Sequence, residues 1–367
     1  MESCTLGAPR ALAEIDIAAL THNYLAMSSH CGGRTLCVVK ADAYGHGISL
    51  VVPALSRVGC DFFAVACLEE ALSVRALAPR ADILILGYTP VQHAALLAHN
   101  NITQAVFSPP FAAALSAAAR AAGVCVRTHV KIDTGMCRLG FSTTDKEGIS
   151  FALHAENLHP WGAFTHFPRA DTDPDHTMRA LRDFLRLRAL FPKGVFLHAA
   201  ASAAALTLPA SHLDGVRIGI ALYGHSPVLD STVKLSPVMQ LTAPIISIKS
   251  FPAGTPIGYG GAFVTTRTSH IGTLPIGYAD GLMRSLEGLT VRVLCKKEAF
   301  FAPLVGHICM DQSMIDLTDA PRATVGDRVH LFYDINAAAK HCGSIPYEIL
   351  SAVSSRVERR EKEGKRI

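Results

Sequence analysis

Charge is scarce in this chain. Only 17% of its 367 residues are Asp, Glu, Lys or Arg while half are hydrophobic, a balance that excludes extensive disorder and fits a compact globular enzyme. No apolar run is long enough to span a bilayer. The start, MESCTLGAPRALAEID, also lacks the basic opening and long apolar stretch of a secretory signal. The ten cysteines form no CxxC pair and no regular framework, so they read as buried or free thiols, and a soluble cytoplasmic protein is expected. The seventeen histidines show no HExxH or comparable spacing, which argues against a metal site. Formal net charge is only +4, and the C-terminal RVERREKEGKRI holds six Lys or Arg against three Glu. That tail reads as a solvated helix end rather than a nucleic-acid contact.

What is present is a long alternation. From residue 35, short apolar runs trade places with segments of helical period. The strand candidates are TLCVVKA, DFFAVA, DILILG, ITQAVFS, VRTHVKID, HPWGAFTHF, GVFLHAA and GVRIGI, and amphipathic or alanine-rich stretches such as CLEEALSVRALA and PPFAAALSAAARAAG lie between them. Eight strands alternating with helices predict a (β/α)8 TIM barrel over residues 1–235. Beyond that point MQLTAPIISIKSF, SHIGTLPIGYA, LTVRVLCKK and GDRVHLFY alternate at strand period between Gly and Pro. A mostly β C-terminal domain over residues 236–367 is predicted. PIGYGGAF and PIGYADG lack the strand-before, helix-after order of a dinucleotide fingerprint.

Lys40 closes the first barrel strand and is followed by ADAYGHG. A desolvated ammonium is costly, so a strand-end lysine either snorkels into water or is chemically employed. Chemistry in such barrels sits at the C-terminal ends of strands, and phosphate often binds in the loops after strands seven and eight. There Ser202 offers a hydroxyl, and Gly219 and Ile220 offer backbone amides. A strand-end lysine with phosphate-type loops suggests a phosphorylated aldehyde, the chemistry of pyridoxal 5'-phosphate.

VVKADAYGHG resembles the pyridoxal-lysine motif of the alanine racemases, and HVKIDTGMCRLGF, THF, DGVRIGIALYG, GYGGAF, LPIGYADG, VGHICMDQ and PYE follow in that family's order from about residue 35 to 350. The resemblance implies a barrel followed by a β domain, a head-to-tail homodimer with shared active sites, and interconversion of L- and D-alanine for peptidoglycan. It implies that Lys40 carries the cofactor and acts as base on one face, and that Tyr259 of the partner's β domain acts on the other. Inversion calls for two such groups, because a single base returns the proton to the side it left. Without the resemblance Tyr259 is an aromatic in a turn and His166 a satisfied core histidine.

By the same resemblance Arg217 faces the pyridine nitrogen, where an arginine cannot hand over a proton, and His166 orients Arg217. Lys131 is carbamylated and orients Arg138, which contacts the cofactor's phenolic oxygen and the substrate carboxylate. Met310 binds that carboxylate through its N–H with Asp311 nearby. Tyr44 and Tyr347 join Ser202, Gly219 and Ile220 on the phosphate. Tyr278 narrows the entrance, and a pocket walled by tyrosines and Ile345 selects a small side chain. Four positions depart from the family's pattern: Ala201 before the phosphate serine, Gly258 before Tyr259, and Pro168 with Arg169 in the loop after THF. The rival readings are a racemase that also uses serine, a same-fold pyridoxal-phosphate decarboxylase with an acid on the pyridine nitrogen, and a non-catalytic carrier without a second domain.

Overall fold

The computed structural model describes residues 9–229, 231–295 and 298–363. The chain divides into two units. One takes Ile17–Ala43 and Ile48–Pro237, and the other takes residues 9–16, Tyr44–Gly47 and residues 238–363.

The larger unit is a closed parallel barrel. Its strands are β1 (Arg34–Val38), β2 (Phe62–Val65), β3 (Asp82–Ile85), β4 (Ile102–Val106), β5 (Val126–Asp133), β6 (Leu158–Phe164), β7 (Phe196–His198) and β8 (Gly215–Ile218). Hydrogen bonding runs in the order β4-β3-β2-β1-β8-β7-β6-β5, and β5 then pairs with β4 to close the ring. Each of the eight apolar runs predicted from the sequence supplies one strand. Helices Ile48–Arg57, Leu68–Leu77, Ala94–His99, Pro109–Ala121 and Pro174–Leu185 fill the predicted amphipathic segments. Ser108 caps one of them by accepting the Phe111 N–H at 3.3 Å, with Pro109 in its first turn.

Three helices of the barrel unit were not read from the sequence. Ile17–Cys31 precedes β1, Lys146–His154 follows β5, and Ser202–Thr207 follows β7. Lys146–His154 contains Gly148, a poor helix former, yet a Cβ there would lie 2.7 Å from the Pro109 ring and 2.3 Å from Asp145 Oδ2. Close packing chose glycine at that point.

Inside the barrel, fully buried Leu36, Phe62 and Leu84 pack with Leu86, Trp161 and Phe196. Burying each such side chain contributes about 1.5–3 kcal/mol. Below this layer, at the N-terminal ends of the strands, Asp82 accepts from Arg34 Nη2 at 2.8 Å and from Arg127 Nη2 at 3.0 Å. Charges there tie strand starts together and leave the C-terminal face for chemistry.

The smaller unit is built on a nine-stranded, mainly antiparallel sheet. Its order is Ser247–Phe251, Ser269–Leu274, Ser313–Asp316, Glu298–Val305, Thr290–Cys295, Arg328–His330, Met239–Pro244, Leu12–Ile15 and Glu358–Glu361. Two sequence expectations change here. Leu12–Ile15 lies in this sheet rather than in the barrel segment 1–235, because its partners are Met239–Pro244 and Glu358–Glu361. The tail forms a strand at Glu358–Glu361 instead of a helix end. Arg359 anchors it through Gly45 O at 3.0 Å and Val353 O at 2.6 Å. Gly45 itself has φ +78°, and a Cβ there would lie 2.2 Å from Leu350 O, so only glycine fits.

Candidate functional site

The site begins where β1 ends. Instead of continuing as the strand TLCVVKA, the chain turns at Lys40, and Ala41, Asp42, Ala43 and Tyr44 all take positive φ between 51° and 56°. A run of left-handed residues without glycine costs roughly 1–2 kcal/mol per residue, so neighbouring groups must hold it. Glu70 Oε1 accepts the Ala41 N–H at 2.6 Å, and Asp42 Oδ1 accepts the Ile48 N–H at 2.7 Å. The Lys40 side chain stays accessible. Its ammonium is held below the usual lysine value by partial burial first and Arg138 second, with Glu70 opposing them.

Strand β5 sends His129, Lys131 and Asp133 to one face by its two-residue period. Lys131 is 5% exposed. Burial first, then the positive charges of Arg138 and Arg217, lowers its pKa to about 8, which leaves part of the amine neutral and nucleophilic near neutral pH. Asp133 organises the following loop. Its two oxygens accept the N–H groups of Gly135 at 2.9 Å, Cys137 at 3.1 Å and Arg138 at 3.0 Å, so Arg138 is placed by the backbone that carries it.

Arg217 on β8 is 3% exposed and closely held. It donates to His198 Nδ1 at 2.7 Å, Thr165 O at 2.7 Å and Ala199 O at 2.8 Å, and meets His166 Nδ1 at 3.4 Å. The expected partner, His166, is therefore present, but His198 makes the shorter contact. His198 Nε2 in turn lies 2.9 Å from His129 Nδ1. Burial drives the pKa of His198 well down and those of His129 and His166 to about 3, so all three rings are neutral. Since Arg217 can only donate, His198 carries its proton on Nε2 and donates it to His129. Sequence reasoning did not pick out His198 or His129. The available signal was position: each is a histidine inside an apolar barrel strand, and His129 stands two residues before Lys131.

Ser202 opens the short helix after β7, preceded by Ala201. Its Oγ accepts the N–H groups of Gly219 at 3.1 Å and Ala221 at 3.4 Å. Ile220 begins the 3-10 turn after β8, where first-turn amides have no acceptor within the turn. Hydroxyl and amides thus gather at the ends of β7 and β8.

In the smaller unit, Tyr259 sits on a tight hairpin between Pro256–Ile257 and Phe263–Val264, flanked by Gly258 and Gly260 at positive φ, and is 73% exposed. Tyr278 donates its N–H to Cys309 O at 3.0 Å, and Met310 O accepts from Ala279 N at 3.0 Å, so the loops bearing Tyr278 and Met310 are tied together. Asp311 Oδ1 engages Arg356 at 2.6 Å. The rings of Tyr44 and Tyr347 lie 6.2 Å apart, while Ile345 is exposed. Two of the expected phosphate-binding phenols are therefore neighbours.

The donor set of the barrel's C-terminal face fits an anionic aldehyde cofactor. Lys40, Lys131, Arg138 and Arg217 interact there with one another, against only Glu70 and Asp133 among the acids that act on the two lysines. Glu70 and Asp133 are already engaged by backbone amides. A phosphate-bearing molecule would balance that excess, Ser202 would donate to it, and Lys40 would condense with a carbonyl. Among the described residues no cluster of His, Cys, Asp and Glu is arranged to hold a metal ion, and no helix is long and apolar enough to cross a membrane.

Comparison with known proteins finds relatives over nearly the whole chain. The family model described as alanine racemase, N-terminal domain, matches residues 15–227, and that for the C-terminal domain matches residues 238–361. The alanine racemase of Desulfovibrio desulfuricans is 42% identical over 363 residues, covering 95% of this chain and 96% of that protein. The crystal structure of biosynthetic alanine racemase from Pseudomonas aeruginosa superposes with a TM-score of 0.87 at 36% identity, covering 97% of this chain and 100% of that one. The alanine racemase from Bartonella henselae with covalently bound pyridoxal phosphate gives a TM-score of 0.87 at 29% identity, covering 96% and 99%.

Proposed function

The chain belongs to the alanine racemase family of pyridoxal-phosphate-dependent isomerases, and we propose that it holds that cofactor on Lys40 and that, on opposite faces of alanine's α-carbon, one of Lys40 and Tyr259 removes the α-proton while the other delivers its own. When bound, the cofactor withdraws electrons from the substrate's α-carbon and makes its C–H acidic. This chain's residues supply the rest.

Lys40 takes or returns the proton on one face. Tyr259 does so on the other, supplied by a second copy of the chain in a homodimer; a phenol standing 73% exposed on a rigid hairpin supports this assignment. Ser202, the amides of Gly219 and Ile220, and the phenols of Tyr44 and Tyr347 hold the phosphate. Arg138 and the Met310 N–H bind the substrate carboxylate, while Tyr278 and Ile345 limit side-chain size. Asp311 acts through Arg356 as a brace for the Met310 loop. Lys131 reacts with carbon dioxide, its neutral amine forming a carbamate and releasing one proton, and the resulting anion orients Arg138.

The observation that carries the reading is Arg217. A guanidinium fixed by two carbonyls and a neutral histidine offers N–H to a ring nitrogen and cannot protonate it. That favours simple proton exchange over decarboxylation, where an acid would serve better. The free cysteines of the described residues fit a reducing cytoplasm. The test is to supply L-alanine to purified protein and assay D-alanine and carbon dioxide. D-alanine accumulating to equimolarity without carbon dioxide supports the reading, and stoichiometric carbon dioxide overturns it. Serine offered in parallel measures how strictly the pocket selects a methyl group.

A further inference from the structure

Glu70, which holds the turn after Lys40 through Ala41, has a second attachment. It sits in the first turn of the helix Leu68–Leu77 that follows β2, and its two oxygens reach in different directions. Oε1 accepts the N–H of Ala41, the residue after Lys40, at 2.6 Å, and Oε2 accepts the N–H of Ala66, just past the end of β2, at 2.8 Å. One carboxylate therefore ties the left-handed turn to the neighbouring barrel strand. The turn needs such a tie, because none of its residues from Ala41 to Tyr44 is glycine.

We propose that Glu70 is a positioning residue for Lys40: it clamps the left-handed turn that aims the lysine, and it places a carboxylate charge beside that turn. The groups facing Lys40 are Arg138 and Lys131 from β5 and its loop, His166 from the end of β6, and Glu70. Arg138 and Lys131 are cations and His166 is neutral, so removal of Glu70 leaves the lysine among positive charges alone. The two roles separate by substitution. Glu70→Gln keeps an oxygen for Ala41 but removes the charge and, its NH2 being a donor, the tie to Ala66; Glu70→Ala removes both ties and the charge.

The proposal rests on the reading of Lys40 as the cofactor lysine, and its test reads the lysine directly. Protein freed of cofactor with hydroxylamine is labelled with acetic anhydride across a pH series, and the Lys40 peptide is quantified by mass spectrometry. Only the neutral amine reacts, so the midpoint reports its pKa. Glu70→Gln is expected to lower that midpoint by about one unit, the size of an adjacent opposite charge, while Glu69→Gln, on the exposed neighbour, leaves it in place. Hydrogen exchange of the peptide spanning Ala41 is expected to rise at least about tenfold in Glu70→Ala, as a lost tie permits local opening. An unchanged midpoint in Glu70→Gln, or unchanged exchange in Glu70→Ala, overturns the proposal; if Glu70→Ala does not fold, Glu70→Gln alone decides. Retention of the visible cofactor band in Lys40→Ala would instead sink the cofactor assignment and leave the Glu70 result standing.

Discussion

Arg217 donates to His198 across 2.7 Å, and that single contact sets the protonation of a buried chain. His198 must keep its proton on Nε2 and donate a hydrogen bond from it to His129 Nδ1, whose own Nε2 then has no hydrogen-bond partner in the protein. We expect His198→Phe to leave the guanidinium held by carbonyls and the longer contact to His166 and to lower turnover by about 10²-fold, the usual cost of a small misplacement. The KM for alanine should change far less. Long-range proton–nitrogen NMR should show both rings as Nε2–H tautomers; an Nδ1–H signal from His198 would contradict the contact.

The same burial makes stability depend on pH. His129 and His166 are neutral in the folded state, with pKa values near 3 for each. In the unfolded chain they titrate near the ordinary histidine value of about 6.5. Between those limits the unfolded state binds more protons, so stability falls as pH falls, by about 1.4 kcal/mol per unit for each such ring. Above pH 6.5 this contribution is flat. Denaturant midpoints from pH 7 to pH 5 measure the slope, and His129→Gln should reduce it by one ring's share.

Gly162 makes room for His129. A Cβ at Gly162 would stand 2.4 Å from the ring's Nε2, and the register between β5 and β6 shifts at this point, so that Thr128 faces Pro160 while His129 faces Gly162. Gly162→Ala is expected to destabilise the fold by about 1–3 kcal/mol, as overpacked cores do, with a larger loss of turnover than stability alone accounts for, because the ring that meets His198 must shift. A melting temperature equal to wild type would show that the barrel interior yields there.

Lys131 should take up carbon dioxide reversibly. With a pKa lowered to about 8, a sizeable neutral fraction exists at pH 7.5, and the surrounding cations favour the anionic product. Protein equilibrated with ¹³C-bicarbonate should give one slowly exchanging carbamate carbon resonance, absent in Lys131→Ala. Turnover in that variant should fall about 10- to 100-fold, as when an orienting partner is lost. No carbamate resonance in wild type would remove the modification from the account.

The barrel was legible because each strand is a short apolar run bounded by a turn or by helical period, and that pattern is local. Ile17–Cys31 was equally legible, since Leu20, Asn23, Tyr24, Met27 and Cys31 recur at helical spacing, but it precedes the first run that set the alternation. Leu12–Ile15 and Glu358–Glu361 were not legible. They are four-residue strands that pair with each other across nearly the whole chain, and no local period records such a partner. At the site, Lys40 stood out as a charge closing an apolar run, whereas Lys131, Arg138 and Arg217 were reached through the family resemblance. Glu70 looked like any acid in a helix's first turn, and His129 and His198 like polar interruptions of strands. Their roles exist only as distances.

In the proposed reaction Lys40 and Tyr259 act on opposite faces of the α-carbon, each exchanging its own proton there. The most direct measurement is the deuterium content at the α-carbon when alanine of each hand is incubated in deuterated water with wild type, Lys40→Ala and Tyr259→Phe protein. Wild type is expected to label both enantiomers. Tyr259→Phe is expected to exchange the α-hydrogen of one enantiomer while interconversion falls by a factor of about 10² or more, and Lys40→Ala to lose both exchange and the coloured cofactor linkage. Interconversion at the wild-type rate by Tyr259→Phe would contradict the account.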